Sequence, residues 1–149
     1  MAYEDASVSW DYLAKLAPGR PRVVVGHSLG GAIAADLASR RTDVSGVVLE
    51  ATFTSVKDMI ANTAWSYLPV DLILTQRFDT LSKIGSIHAP ILITHGTRDQ
   101  IVPYEMGEKL YAAAPGRKKF IKVEGGSHHN LSYVAFDDYQ KAIRELFAF

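Results

Sequence analysis

The sequence predicts an α/β domain in which about four parallel strands are flanked by helices. Short apolar runs rich in valine and isoleucine alternate with segments of helical periodicity, the order typical of a parallel sheet with covering helices. The first two apolar runs are continuous, as expected for strands that are buried on both faces. A length of 149 residues matches one domain, so we predict a single domain over residues 1–149.

The first half of the chain predicts two helix–strand pairs. A helix over residues 4–16 ends at the Pro-Gly break of residues 18–19, and a strand follows over residues 23–26. An alanine-rich helix over residues 29–40 precedes the second strand, residues 44–50. The first helix places one set of apolar residues on its inward face: Ala6, Trp10, Leu13, Leu16 and Ala17.

Residues 52–89 are the least regular part of the sequence. Ser55 and Asp58 have the spacing of a capping box, which predicts a helix from there to about residue 67. A second short helix is predicted over residues 71–78. The segment has the size of a small helical cap over a site, and it is equally compatible with an ordinary crossover elongated by one helix.

The second half repeats the alternation. Residues 91–95 predict a third buried strand, and residues 104–114 predict a helix that ends at a Pro-Gly pair. Residues 119–123 alternate apolar and charged side chains, which favours a strand at the sheet edge. Residues 135–147 predict a final amphipathic helix.

Composition narrows the classes of function. Lys plus Arg and Asp plus Glu are both 16, so no net charge favours nucleic acid or an anionic membrane. The absence of cysteine excludes disulfides, thiolate catalysis and cysteine-ligated metals. We expect no stable membrane insertion, because no apolar run approaches the ~18 residues that a membrane span needs. The acidic N-terminus lacks a secretion signal, so the default expectation is a cytoplasmic protein.

The most informative stretch joins the first predicted strand to the helix that follows it. Gly26-His27-Ser28-Leu29-Gly30 fits the G-x-S-x-G pattern, in which a strained turn between strand and helix exposes a nucleophilic serine. We expect side chains at Gly26 and Gly30 to collide with neighbouring elements. The Leu29 N–H opens the helix and is therefore free to bind an oxyanion. The alternative is a glycine-rich turn with an incidental serine.

Partners for Ser28 follow the later strands. A serine needs a base to take its proton, most often a histidine oriented by a carboxylate. Asp99 follows the third strand, and His128 and His129 follow the fourth. Because the carboxyl ends of parallel strands share one edge, we expect these groups to meet there. Glu50 ends the second strand at the same edge and is either an alternative acid or a hydrogen-bond partner of the cap.

Three segments carry a resemblance to a known family: residues 26–32, residues 94–107 and residues 124–130. They resemble the carboxyl-terminal part of α/β-hydrolases, and are most similar to the branch that includes the depalmitoylating abhydrolase-domain proteins. The resemblance implies Ser28 as nucleophile, Asp99 as acid and one of the paired histidines as base.

The sequence leaves the choice of base open. The spacing from Asp99 favours His128, whereas alignment on the His-Asn pair selects His129. The histidine that is not the base lines the site or is exposed to solvent. We also expect three further residues to line it: His27, Phe53 and Ile101.

The chain departs from the family pattern before Ser28. The strands that precede the nucleophile in a full member are missing, as is the His-Gly motif whose loop supplies the second oxyanion donor. Loss of one donor lowers turnover by about 10² to 10³. The sequence therefore predicts a truncated α/β-hydrolase fold in which residues 23–25 become a sheet edge. We expect self-association, through that edge or through the helices at residues 4–16 and 29–40.

These observations predict a serine esterase that hydrolyses small or short-acyl carboxylic esters without cofactor or metal. One alternative is a catalytically weak or inactive fragment that oligomerises. Another is a thioesterase or lysophospholipase of the same fold.

Overall fold

The computed structural model describes residues 2–62 and 78–147. Within these residues four strands form one parallel sheet in sequential order, β1-β2-β3-β4, which confirms the predicted fold class. The strands are β1, Val23–His27; β2, Gly46–Glu50; β3, Ile91–Gly96; and β4, Lys118–Val123. Two of the predicted strand bounds change at the start, because the second strand begins at Gly46 and the fourth at Lys118.

Helices connect and cover the strands. They are α1, Ala2–Leu16; α2, Leu29–Arg40; α3, Val56–Asn62; α4, Leu81–Ile84; α5, Tyr104–Ala113; α6, Leu131–Val134; and α7, Phe136–Phe147. Helix α3 occupies the start of the predicted helix that ends near residue 67. The rest of that helix, and nearly all of the one predicted over residues 71–78, lie outside the described residues. The cap-like role of residues 52–89 therefore stays a prediction.

The two faces of the sheet have separate cores, as the continuous apolar strands predict. In β2, Val47 and Leu49 pack with Trp10 of α1 and with side chains of α2, α4 and α5. Val48 points to the opposite face and packs with side chains of α6 and α7. Each of these three β2 side chains is at most 3% exposed, so the central strand is covered on both sides.

Helix α1 buries less of its apolar face than the sequence predicts. Trp10 is its only buried residue, whereas Leu13 is 42% exposed and Leu16 is 63% exposed. Trp10 is held by a hydrogen bond from its Nε1 to Asp43 Oδ2 at 3.0 Å. The expectation for Leu13 and Leu16 is wrong because α1 packs mainly against α2 and covers little of the sheet itself. Among the described residues α1 leaves an open groove of about 390 Å³ against α2 and β1.

Strands β1 and β4 form the two edges of this sheet. Along β1, Val24 packs into the core of one face, while Val25 is 62% exposed.

In the part of the chain that the structure describes, no helix is both long and apolar enough to cross a membrane.

Candidate active site

The loops after three strands hold the residues that the sequence predicts for catalysis. Ser28 follows β1 directly, Asp99 follows β3, and His128 follows β4. Because these strands are parallel and adjacent in one sheet, their carboxyl ends lie at one edge.

Ser28 occupies a strained backbone conformation between β1 and α2. Its φ is 53° and its ψ is −119°, a region that residues with a side chain rarely adopt. Three hydrogen bonds hold it there. Its N–H donates to the Glu50 carbonyl at 2.9 Å, and its carbonyl accepts from Thr52 Oγ1 at 2.6 Å and from the Gly31 N–H at 3.0 Å. Such strain persists only where the surroundings over-determine the backbone, so the turn is built to present this serine.

The glycines of the turn differ in what they allow. A Cβ at Gly26 would lie 2.2 Å from the Gly30 carbonyl oxygen, so strand and helix approach too closely there for any side chain. A Cβ at Gly30 would meet nothing within 4 Å, so the expected collision at Gly30 is wrong. The close contact falls one residue later, where a Cβ at Gly31 would lie 2.3 Å from Thr52 Oγ1.

The Asp99 carboxylate is buried and accepts hydrogen bonds on both oxygens. Its Oδ1 accepts from the N–H groups of Ile101 at 2.8 Å and Val102 at 2.9 Å. Its Oδ2 lies 2.8 Å from His128 Nδ1 and 3.4 Å from His95 Nε2. Burial raises the pKa of the Asp99 carboxyl, but hydrogen bonds from His95, His128 and these two N–H groups outweigh it and lower the pKa to about 2.

The ionised Asp99 fixes the tautomer of His128. A carboxylate can only accept hydrogen bonds, so Nδ1 of His128 carries the hydrogen and Nε2 keeps its lone pair. Burial lowers the pKa of His128, and its hydrogen bond to Asp99 opposes this shift only in part. His128 is therefore neutral at pH 7, with the nitrogen of a base free.

The structure joins Asp99 to His128 and leaves the serine hydroxyl apart. Among the described residues, Ser28 Oγ makes no hydrogen bond, so a Ser28–His128 bond is not formed in this conformation. Such bonds are often long without substrate and tighten when it binds.

His27 and His129 lie beside His128. Nε2 of His27 is 2.7 Å from the carbonyl oxygen of His128, and because that oxygen can only accept, Nε2 is the donor. The ring centroid of His129 is 4.8 Å from that of His128 and 5.8 Å from that of His27. His129 is exposed, in contrast to His128, which is buried.

The remaining predicted residues lie around this centre. Leu29 is the first residue of α2, so its N–H has no acceptor within the helix. Phe53 is buried in a small apolar cluster with Val102, and Ile101 packs against the same cluster. The backbone N–H of Ile101 also donates to Asp99. The sequence predicts only that Ile101 lines the site.

Two further residues, His95 and Tyr139, support the site, and the sequence indicates a catalytic role for neither. His95 is fully buried, and its Nε2 lies 3.0 Å from the Val102 carbonyl as well as near Asp99. Its place at the end of a buried strand predicts a hydrogen-bonded core histidine, which the structure confirms, but gives no sign of its contact with Asp99. Glu50, considered as an alternative acid, instead accepts a hydrogen bond from the Tyr139 hydroxyl. Burial and this bond raise the pKa of Tyr139, so Tyr139 stays protonated and keeps donating to Glu50. The carboxylate that contacts His128 is that of Asp99.

The chain is similar to known proteins over most of its length. The family described as serine aminopeptidase, S33, matches residues 1–78 and 71–133. The uncharacterized protein Rv2307c of Mycobacterium tuberculosis is 36% identical over 105 residues, which are 70% of this chain and 37% of that protein. The lysophosphatidylserine lipase ABHD12 of Danio rerio is 27% identical over 148 residues, covering 89% of this chain and 37% of the lipase.

A solved structure has the same fold. The esterase domain of a Rhodothermus marinus protein superposes with a TM-score of 0.73 at 19% identity, covering 97% of this chain and 69% of that one. The chain spans little more than a third of the length of Rv2307c and of ABHD12.

Proposed function

Because the chain belongs to the serine aminopeptidase S33 family of α/β-hydrolases, we propose that it is a serine hydrolase that cleaves carboxylic esters through an acyl-enzyme. The assigned roles are nucleophile for Ser28, base for His128, acid for Asp99 and oxyanion donor for the Leu29 N–H. The observation that carries the proposal is the 2.8 Å hydrogen bond between His128 Nδ1 and Asp99 Oδ2, at the sheet edge where strained Ser28 lies.

Acylation uses the lone pair on His128 Nε2. Rotation of the Ser28 hydroxyl toward that nitrogen lets His128 take the proton while Ser28 Oγ attacks the ester carbonyl carbon. The Leu29 N–H donates to the oxygen that gains negative charge. The intermediate then breaks the bond to the alcohol, which leaves with the proton that His128 held.

Deacylation repeats these steps with water. His128 takes a proton from the water as the water oxygen attacks the acyl carbon. The bond to Ser28 breaks, Ser28 regains a proton from His128, and the acid product leaves. Asp99 keeps its charge throughout, because a carboxyl with a pKa of about 2 stabilises the imidazolium without accepting its proton.

We infer small or short-acyl esters as the substrate class. The relatives are named for a lysophospholipid and for esters, and the family is described as a peptidase, so ester and amide substrates both need testing. An ester is the easier substrate for a site with a single assigned oxyanion donor, because its alcohol leaves more readily than an amine.

The test is hydrolysis of p-nitrophenyl acetate and p-nitrophenyl octanoate by the purified chain, with lysophosphatidylserine and an aminoacyl p-nitroanilide as further substrates. The matched control is Ser28→Ala, which removes only the hydroxyl group of the serine. We expect the chain to hydrolyse p-nitrophenyl acetate fastest, and the variant to be inactive. Equal rates for the two proteins would overturn the proposal.

A second measurement distinguishes a slow enzyme from an inactive fragment that only oligomerises. A fluorophosphonate reacts with an activated serine and adds a fixed mass. Labelling of the chain but not of Ser28→Ala supports an activated nucleophile even where turnover is slow. Absence of labelling together with absence of hydrolysis favours the inactive alternative.

A further inference from the structure

Three histidines meet beside the candidate active site, one at the end of β1 and two in the loop after β4. The nitrogen ligand atoms of His27, His128 and His129 all lie within 4.8 Å of one another. We propose that these three side chains bind a divalent transition-metal ion such as Zn²⁺, and that the bound ion inhibits the hydrolase.

The first ligand, His128, is already oriented as a metal-binding histidine. A ligating imidazole almost always donates its other ring N–H to a carboxylate or a backbone carbonyl, which fixes the tautomer and aims the lone pair. His128 donates Nδ1–H to Asp99 at 2.8 Å. Its Nε2 is therefore the ligand atom, with an anionic partner that increases its basicity.

The second ligand, His27, has the same kind of support. Its Nε2–H donates to the His128 carbonyl at 2.7 Å, which leaves the lone pair on Nδ1. The hydrogen bond also ties the end of β1 to the loop after β4. Two of the three imidazoles are thus fixed relative to each other before any ion binds.

The third ligand, His129, supplies the adjustment that the site needs. Zn–N bonds of about 2.0–2.1 Å in tetrahedral geometry require nitrogens about 3.4 Å apart, closer than the present limit of 4.8 Å. His129 is exposed and its ring contacts those of His27 and His128, so its side chain can turn a nitrogen toward theirs without moving the core. The exposed side of the cluster leaves a fourth position for water.

The donor set selects the class of metal. Three imidazole nitrogens suit zinc, copper and nickel, whereas magnesium and calcium prefer oxygen ligands. The nearest carboxylate, Asp99, accepts hydrogen bonds on both oxygens and supports His128 from behind. The cluster is therefore a nitrogen site and not a mixed oxygen site.

Inhibition follows from the identity of one atom. The lone pair of His128 Nε2 is the group that takes the Ser28 proton in the proposed mechanism, and the same lone pair would bind the ion. A metal ion and a proton cannot share it. The inhibitory effect rests on the proposed function, whereas the binding does not.

The test of binding is titration of the full chain with ZnCl₂ against a chromophoric zinc chelator. The variants are His27→Asn, His129→Asn and the double variant, and the matched control is His88→Asn, an exposed histidine outside the cluster. We expect one ion per chain. Each single variant loses a ligand, so its zinc affinity should fall at least about tenfold, since removal of a residue that only supports a ligand already costs that much. The control keeps the affinity of the unchanged chain. Binding by the double variant as tight as that of the unchanged chain would overturn the site.

The test of inhibition is p-nitrophenyl acetate hydrolysis with increasing ZnCl₂, each variant being compared with its own zinc-free rate. We expect zinc to lower the rate, EDTA to restore it, and His129→Asn to need at least about tenfold more zinc for the same effect. Zinc that binds without lowering the rate overturns the inhibitory role alone. A chain without any zinc-free activity removes the proposed function and the inhibition with it, while the titration still decides the metal site.

Discussion

At the scale of single residues, Asp99 determines which histidine has the form of a base. It accepts from His128 and not from His129, and its other oxygen accepts from two backbone N–H groups. The choice that spacing favours, His128, thus has a geometric partner. The roles of both residues as acid and base stay predictions that kinetics must test.

Asp99→Asn tests the orienting role. An amide can present its NH₂ group to His128 Nδ1, which then becomes the acceptor and moves the hydrogen to Nε2, the wrong nitrogen for a base. We expect kcat to fall on the order of 10⁴, as when the orienting aspartate of a serine protease is replaced by asparagine. Asp137→Asn, an exposed carboxylate of α7, is the control and keeps its rate. An Asp99 variant as active as this control would contradict the assignment.

The pH dependence of hydrolysis reports on His128. Burial lowers its pKa below the ordinary 6.5, and its neighbours His27 and His129 act in the same direction. A base must be neutral, so activity is full above pH 6.5 and falls as the pH drops through the lowered pKa. We expect kcat/KM measured from about pH 4 to pH 8 with EDTA present to lose half its value below pH 6.5. A midpoint above pH 6.5 would contradict this environment for the base.

At the scale of elements, the turn between β1 and α2 depends on one tight contact between α2 and Thr52. Thr52 lies just after β2, and its hydroxyl donates to the Ser28 carbonyl at 2.6 Å. A side chain at Gly31 would displace that hydroxyl, since its Cβ would lie 2.3 Å away. Gly30 has open space at the corresponding position, so the two adjacent glycines form a matched pair.

Gly31→Ala and Gly30→Ala are therefore expected to have opposite effects. Gly31→Ala lowers the free energy of unfolding by about 1–3 kcal/mol, because it overpacks the contact with Thr52. Gly30→Ala raises it by up to about 1 kcal/mol, because alanine favours the helix and meets no neighbour. Urea denaturation of both variants measures the difference. Equal stabilities would show that Thr52 moves without cost.

Elements with a long, periodic signal were predictable, and short ones were not. Three strands follow from continuous apolar runs such as residues 91–95 and the fourth from an alternating one, and the strand ends place Ser28, Asp99 and His128 at one edge. Helices α4 and α6 have four residues each, which is about one turn and too short to display a period. The link between His27 and the His128 carbonyl joins residues 101 positions apart, a distance over which a single sequence gives no pairing information.

At the scale of the whole molecule, the described surface exposes apolar groups around the β1 edge. Val25 is 62% exposed on that strand, and Leu13 of α1, which is also exposed, lines the same groove. Edge strands present backbone groups that can pair with another chain, and proteins normally shield them with charge, proline or a covering element. Neither charge nor proline occurs within β1, whose sequence is Val-Val-Val-Gly-His.

We therefore expect a second copy of the chain to cover this edge, so that the protein sediments as an oligomer at micromolar concentration. Val25→Lys places a charge on the strand without removing a buried side chain, and it should shift the population to monomer. Tyr133→Lys is the control. Tyr133 is 87% exposed on α6, so its replacement introduces the same charge away from the β1 edge. Analytical ultracentrifugation of the three proteins makes the comparison, with circular dichroism to verify folding. A monomeric unchanged chain, or dissociation by the control to the same extent as by Val25→Lys, would exclude the β1 edge as the interface.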